Sequence, residues 1–445
     1  MRCSNGSRPT GLGCWQNSWM PAHSRHEGPY RWAVVAMLWC VCLFNYADRQ
    51  AIFSVFPPIA KELRLSDLQL SIIAAAFMWV YAVCGPAAGW VSDRISRKVV
   101  IVGALAFWSC ATAATTFAGS YHTMVFCRAL GGLGEAFYFP AAMSLLGDYH
   151  GPDTRSRAMS IHQSSVYIGS IVGGTLSAVI ADHRGWRPAF LLFGAAGLLL
   201  SSVLAIALRE PPRTAALLSD PAWEPGRSGF VRGVVDVLTN RYALALIGIF
   251  IGANFVAVVF LTWLPTFLYR AFHMTLTMAG FSATAYLQLA SVIGVIAGGI
   301  LADFASQRQR GGRIRVQALG LLLGVPFLFL SGWTRLVGAV IGALAGFGLA
   351  KGLYDANIWA GLYDVIPARR RGVAAGVMNS LGWLGGGFAP VVVAAALRHV
   401  SLGQCLSATA LIYVVLGASA LIVARSMRIH SSSVSRTPYT EDIST

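Results

Sequence analysis

Twelve apolar stretches, each about as long as a membrane is thick, run through this 445-residue chain and fall six and six about a polar segment at 209–241. About 20 apolar residues suffice for a helix to cross the hydrocarbon core. In that core the backbone must satisfy its own hydrogen bonds, so stretches of this length can only be helices. They lie near 32–57, 70–91, 99–118, 121–147, 158–181, 187–208, 242–268, 278–302, 316–331, 335–362, 371–397 and 404–425. The expected fold is an all-α membrane protein with twelve transmembrane helices in two six-helix bundles. Residues 1–31 are expected to be a disordered cytoplasmic tail, 32–208 the N-terminal bundle, 209–241 a cytoplasmic linker, 242–425 the C-terminal bundle and 426–445 a second cytoplasmic tail.

A formal net charge of +16 would, in a soluble protein, point to nucleic acid. Charged residues are only 12 % of this chain and its mean hydropathy is +0.61, so position decides the matter. With both termini inside, 24 of the 34 Lys and Arg fall on the inner side and seven outside (Lys61, Arg64, Arg184, Arg187, Arg270, Arg335 and Arg398). That asymmetry follows the positive-inside rule. The basic balance then belongs to loops facing anionic lipid. The expectation is a multi-pass monomer in the plasma (inner) membrane, both termini cytoplasmic, with no nucleic-acid partner. The cysteines inside spans lack metal-ligand spacing, no Walker loop follows a strand, and no Ser-His-Asp set can be assembled. No metal, no cofactor and no enzyme activity are expected.

The halves repeat. Gly89 and Asp93, followed by Arg94 and Arg97, return as Gly299 and Asp303, both displaced by 210 residues. A weaker echo sets Asp148 with Pro152, Arg155 and Arg157 against Asp364 with Pro367, Arg369, Arg370 and Arg371. Two parallel, pseudo-symmetric halves follow. Gly89, Asp93, Arg94, Arg97 and Asp303 form an expected gating latch, since an Asp at a helix end can pair with loop arginines. Topogenic charge alone is the plainer reading. The Gly89–Lys98 run and the Arg128–Glu135 run resemble the loop and fourth-helix signatures of the major facilitator superfamily. That resemblance covers about residues 30–427 and implies the major facilitator fold with alternating access.

Six charges lie inside spans: Asp48, Arg49, Arg128, Glu135, Lys351 and Asp355, summing to zero. Each costs about 2.5–3.5 kcal/mol near a helix centre, so pairing and water access are implied. Helical rise puts Asp48 and Arg128 at similar depths, about 13 and 10 Å from the outer side, which makes them an expected pair. Glu135 follows Arg128 by seven residues and returns to nearly the same face. Arg49 points about 100° away from Asp48 and offers a bidentate fork to an anion. A poorly solvated carboxylate that exchanges partners can bind and release a proton, which makes Asp48 and Glu135 the expected proton-coupling pair. Permanent structural pairing is the alternative.

Asn45-Tyr46-Ala47-Asp48-Arg49, the Arg128 to Glu135 spacing, Trp263-Leu264-Pro265, Gly185-Trp186-Arg187, and Asn379 ahead of Gly385-Gly386-Gly387 and Pro390 resemble the anion:cation symporter family. The resemblance implies sugar acids or other organic anions moving with protons. Asp48 and Glu135 would carry the proton, Arg49 and Arg128 would compensate charge and hold substrate, and Gln163 and Asn379 would donate hydrogen bonds. Ala106-Phe107-Trp108-Ser109 and Arg209-Glu210-Pro211-Pro212-Arg213 resemble instead the Spinster family of lipid transporters, with amphiphile transport as the alternative. Lys351 and Asp355 depart from the anion-symporter pattern. Four residues apart, they share a face with Tyr354 and Asn357 nearby, and either neutralise each other or line a wet cavity. Lys351, Tyr354 and Asn357, with Tyr46, Asn254 and Tyr286, complete the expected substrate-binding set. His162 is expected to be solvated. Gly169, Gly173 and Gly174, and Gly294, Gly298 and Gly299, mark surfaces where the halves could slide, or ordinary packing within one half.

Overall fold

The computed structural model describes residues 28–150, 152–210, 227–309, 311–367 and 371–434, and no strand occurs among them. Its helices are α1 (Tyr30–Ser54), α2 (Phe56–Leu63), α3 (Asp67–Arg94), α4 (Arg97–Thr115), α5 (Tyr121–Tyr149), α6 (Pro152–Arg184) and α7 (Arg187–Ala207). Within the polar segment lies α8 (Arg227–Thr239), and beyond it come α9 (Arg241–Phe272), α10 (Leu276–Arg308), α11 (Gly312–Trp333), α12 (Val337–Asp355), α13 (Ile358–Tyr363), α14 (Arg371–Ala396) and α15 (Leu402–Val434).

By length and composition eleven of these segments could cross a membrane, with α12 and α13 counting as one. The twelfth, α5, is 29 residues long and carries Arg128, Glu135, Gly131, Gly132 and Gly134, which dilute its apolarity. It is held instead by packing against α3 and α4. Ends are set locally. Ser66 and Gln69 form a capping box on α3, Ser120 and Thr123 another on α5, and Thr275 caps α10. Pro86, Pro140, Pro265, Pro326 and Pro390 all lie inside helices. Neighbouring helices make such prolines tolerable in a membrane. The tenth span is broken: α12 stops at Asp355 and α13 starts after Asn357, although no Pro or Gly marks the site.

Helices α1, α3, α4, α5, α6 and α7 pack on one another, as do α9, α10, α11, α12, α14 and α15. The two sets meet mainly through α3 on α14 and α6 on α10, with a smaller contact of α1 on α9. The described hydrogen bonds between them lie toward the side away from the termini. Arg270 grips Asp67 at 2.9 and 3.1 Å, and the Thr277 N–H and hydroxyl donate to Asp182 at 2.8 and 2.6 Å. Gln50 donates to the Leu261 carbonyl at 3.1 Å and Ser71 to that of Pro390 at 2.8 Å.

The glycine patterns divide differently from a single sliding surface. Gly169 and Gly173 press on the backbone of α1, and Gly294 and Gly298 on α12, each within its own half. Gly174 alone of these meets the other half, where an added Cβ would stand 3.0 Å from Thr284. Its counterpart is Gly280, an α10 glycine outside the expected pattern, whose added Cβ would come within 2.6 Å of the Gly174 carbonyl. Most of the small-residue pattern therefore serves close helix approach inside each bundle.

Candidate functional site

Arg49, near the far end of α1, lies 7 % exposed with its guanidinium donating to the Glu135 carboxylate of α5 at 2.5 Å. Glu135 is fully buried. The same guanidinium is ringed by Tyr46, Phe77, Tyr81 and Trp383, with ring centroids 4.9, 5.0, 4.6 and 4.9 Å away. A cation over aromatic faces gains about 0.5–2 kcal/mol per favourable contact, most when desolvated. Three of the rings come from α1 and α3; Trp383 comes from α14, in the other half. The site is thus completed across the seam.

Asp48 and Arg128 face each other at 3.9 Å, and Thr112 of α4 donates to Asp48 at 2.5 Å. Phe77 lies between the two basic groups, its ring 4.6 Å from the Arg128 guanidinium as well. Glycine makes this crowding possible: a Cβ at Gly131 would stand 3.7 Å from the Phe77 ring, and one at Gly132 would strike the Phe77 backbone. Several buried atoms of the four charged groups have no hydrogen-bond partner: Arg49 Nη1, Glu135 Oε1, Asp48 Oδ1 and Arg128 Nε. Beside Asp48, a crevice too narrow to seat water is lined by Phe44, Trp108, Ser109, Thr112, Phe193 and Gly197.

In the second half, Lys351 and Asp355 form an ion pair along α12, their side chains 17 % and 19 % exposed. Tyr354, expected beside them in the cavity wall, is 3 % exposed in the apolar core that also holds Phe347 and Tyr413. Asn357 is likewise committed to structure. Its amide donates to the Gly298 and Leu353 carbonyls at 3.3 and 3.1 Å, and its own carbonyl accepts from Gln317 at 2.5 Å. Asn254 spends its amide on the Gly382 carbonyl at 2.6 Å, tying α9 to α14. Tyr286 is half-buried with its ring 5.8 Å from Phe281. Gln163 is exposed, Asn379 half-buried, and neither makes a hydrogen bond among the described residues. His162, expected to be solvated, is fully buried and meets the Tyr138 hydroxyl at 2.8 Å; that hydroxyl also donates to the Leu38 carbonyl.

The expected latch falls partly outside what is described, since the side chains of Asp93 and Arg94 lie there. Gly89 has open space where a Cβ would be. Arg97 pairs with Asp148, and the nearby Glu210 accepts from the Ser96 hydroxyl and the Arg97 N–H. Arg313 pairs with Asp364 at 2.8 Å and, more loosely, with Asp303 at 3.7 Å. Arg97 to Arg313 and Asp148 to Asp364 are both displacements of 216 residues. The described partners of Arg97 and Asp303 each lie in their own half, so these pairs tie span ends within a bundle. Residues missed by sequence reasoning are Phe77, Tyr81, Trp383 and Thr112. The even apolarity of their helices gave no signal for them.

Among curated proteins the chain is similar to the probable galactarate/D-glucarate transporter GudP of Escherichia coli K12, 25 % identical over 82 % of this chain and 86 % of that protein. The D-galactonate transporter of another Escherichia coli strain is 26 % identical over 84 % and 91 %. Human protein spinster homolog 1 is 29 % identical over 76 % and 67 %. Among solved structures, a bacterial homologue of the human lysosomal transporter Spinster, inward-facing and unoccupied, superposes with a TM-score of 0.76 at 21 % identity, covering 90 % of this chain and 98 % of that one. The Major Facilitator Superfamily model matches residues 38–390, well over half the chain, and the protein belongs to that superfamily as a multi-pass membrane transporter, not an enzyme.

Proposed function

We propose that this chain is a proton-coupled secondary transporter of a small organic anion, a sugar acid or another carboxylate, working by alternating access in the plasma membrane with both termini cytoplasmic. One observation carries the reading: a buried Arg49–Glu135 pair in an aromatic box that Trp383 of the other half completes. A substrate carboxylate competes with Glu135 for the guanidinium, because both want the same fork. A proton on Glu135 removes the competitor, so proton and anion load together. Asp48 stands in the same relation to Arg128, with Thr112 holding its carboxylate. Gln163 and Asn379, whose side chains make no hydrogen bond among the described residues, supply donors for substrate hydroxyls. Sugar-acid transport in the names of two relatives points the same way.

The test is a thermal-shift titration of the purified protein with sugar acids, since a ligand of the folded state raises its apparent stability. Arg49→Ala is expected to abolish the shift. Glu135→Gln is expected to keep binding and lose pH-driven accumulation in proteoliposomes. Binding retained in Arg49→Ala removes that residue from the site. The second reading, transport of a lysolipid or another amphiphile, rests on the Spinster-like residues Ala106–Ser109 and Arg209–Arg213, with the human spinster homologue among the relatives. Sugar-acid uptake set against lysolipid release in the same proteoliposomes separates the two.

A further inference from the structure

We propose that Lys351 is a second anion-binding group, and that the substrate is a dianion, an organic acid with a carboxylate at each end, bridging the two halves from Arg49 to Lys351. This rests on the anion reading above and names its substrate class.

The direction in which Lys351 points follows from its neighbours on α12. Leu349 is 41 % exposed and marks the lipid side. Lys351, two residues on, lies about 200° round the helix, and Asp355 about 40° further. Two other sides of α12 are closed. Gly348 and Gly352 press on α10 at Ala290 and Val295, and the backbone at Ala350 and Tyr354 presses on Gly320 of α11. Phe347 reaches Phe260 of α9 at 5.1 Å, which identifies the remaining side as the one toward α9 and the molecular centre. Asp355 is also close enough to Tyr167 of α6, in the other half, to act on its hydroxyl electrostatically. The Lys351–Asp355 pair therefore lies on the side of α12 turned toward α9 and the molecular centre.

Although turned from lipid, both side chains keep 17–19 % of their surface exposed. On the placement proposed here, that surface faces the space between the halves. An ion pair buried for structure has its remaining protons and lone pairs satisfied by further partners. Lys351 has three N–H donors, and Asp355 is its one hydrogen-bond partner among the described residues. The arrangement matches Arg49 with Glu135: a cation held by an internal carboxylate that a ligand carboxylate can replace. A monoacid engages one such cation and leaves the other paired. A diacid engages both, and its binding energy then favours the state in which the halves close on it.

The experiment titrates the full-length protein in detergent with D-glucarate, a six-carbon diacid, and D-galactonate, a six-carbon monoacid, reading the thermal shift. The wild type is expected to prefer glucarate by about tenfold, the size of one charge-assisted contact. Lys351→Met is expected to bring the glucarate-to-galactonate ratio to about one. Asp355→Asn frees Lys351 and is expected to raise the ratio, an outcome that a structural pair does not give and that decides the matter should Lys351→Met fold poorly. A ratio unmoved by both variants, with Arg49→Ala still abolishing both responses, overturns the second site and leaves the Arg49 site standing. No response of the wild type to either acid overturns both.

Discussion

The two halves share a scaffold and divide the chemistry unequally. At the termini side each carries the same ion pair at the same place in its repeat, Arg97 with Asp148 and Arg313 with Asp364. Deeper in, the first half buries four charges on α1 and α5 against aromatic rings, while the second offers one partly exposed pair on α12. A duplication preserves what ties helix ends together, because both bundles need it. Charges in hydrocarbon are costly and are held by partners or by a site that uses them. On the proposed function, coupling would be concentrated in the first half, with the second half contributing a ring and one further pair.

Removing one member of each central pair is the most severe way to break that contrast. Glu135→Ala strands a buried guanidinium and is expected to cost about 3–5 kcal/mol, whereas Asp355→Ala, at a side chain 19 % exposed, is expected to cost about 1 kcal/mol or less. Unfolding of both variants in detergent measures this, and equal losses would erase the distinction. Glycines come next. Gly294→Ala drives a methyl into the α12 backbone within its own half and is expected to lose about 1–3 kcal/mol. Gly280→Ala, at the contact between halves, is expected to leave the unfolding temperature nearer the wild type and instead speed labelling of a cysteine placed at Asp182. Unchanged labelling would mean the halves do not separate there.

The repeated ion pairs sharpen the comparison more gently. Arg97, 10 % exposed, is expected to lose about 1 kcal/mol on change to Ala, and Arg313, 29 % exposed, less, because screening weakens the more open pair. The reverse order would show that the second copy bears more of the fold. The smallest effect concerns acid. Glu62 of α2 is held below the usual carboxylate range by the Arg187 hydrogen bond, with Trp186 adding a second. Its contribution is complete above about pH 4.3 and is lost as pH falls through the lower folded value. Trp186 fluorescence is expected to change between about pH 5 and 3, and to stay flat in Glu62→Gln.

Spans, charges and the meeting of Asp48 with Arg128 were legible because they depend on length and rise along single helices, which a sequence carries directly. Lateral neighbours were not. Phe77, Tyr81 and Trp383 gather round Arg49 from two helices far apart in sequence, and each alone is an ordinary apolar residue in an apolar span. Tyr354 and Asn357 show the opposite difficulty. A polar group in a span must be satisfied, but the sequence does not say whether by ligand or by a neighbouring carbonyl, and Asn357 found carbonyls. The break after Asp355 escaped too, since no residue type there announces it.

Trp383 has a use beyond chemistry. Its indole rests 4.9 Å from a cation and 5.5 Å from the Tyr81 ring, both carried by the opposite bundle. Any rocking of the bundles changes the electric field and contacts felt by that one fluorophore. With the other tryptophans replaced, its emission would follow each stroke of the cycle in real time, with no dye attached.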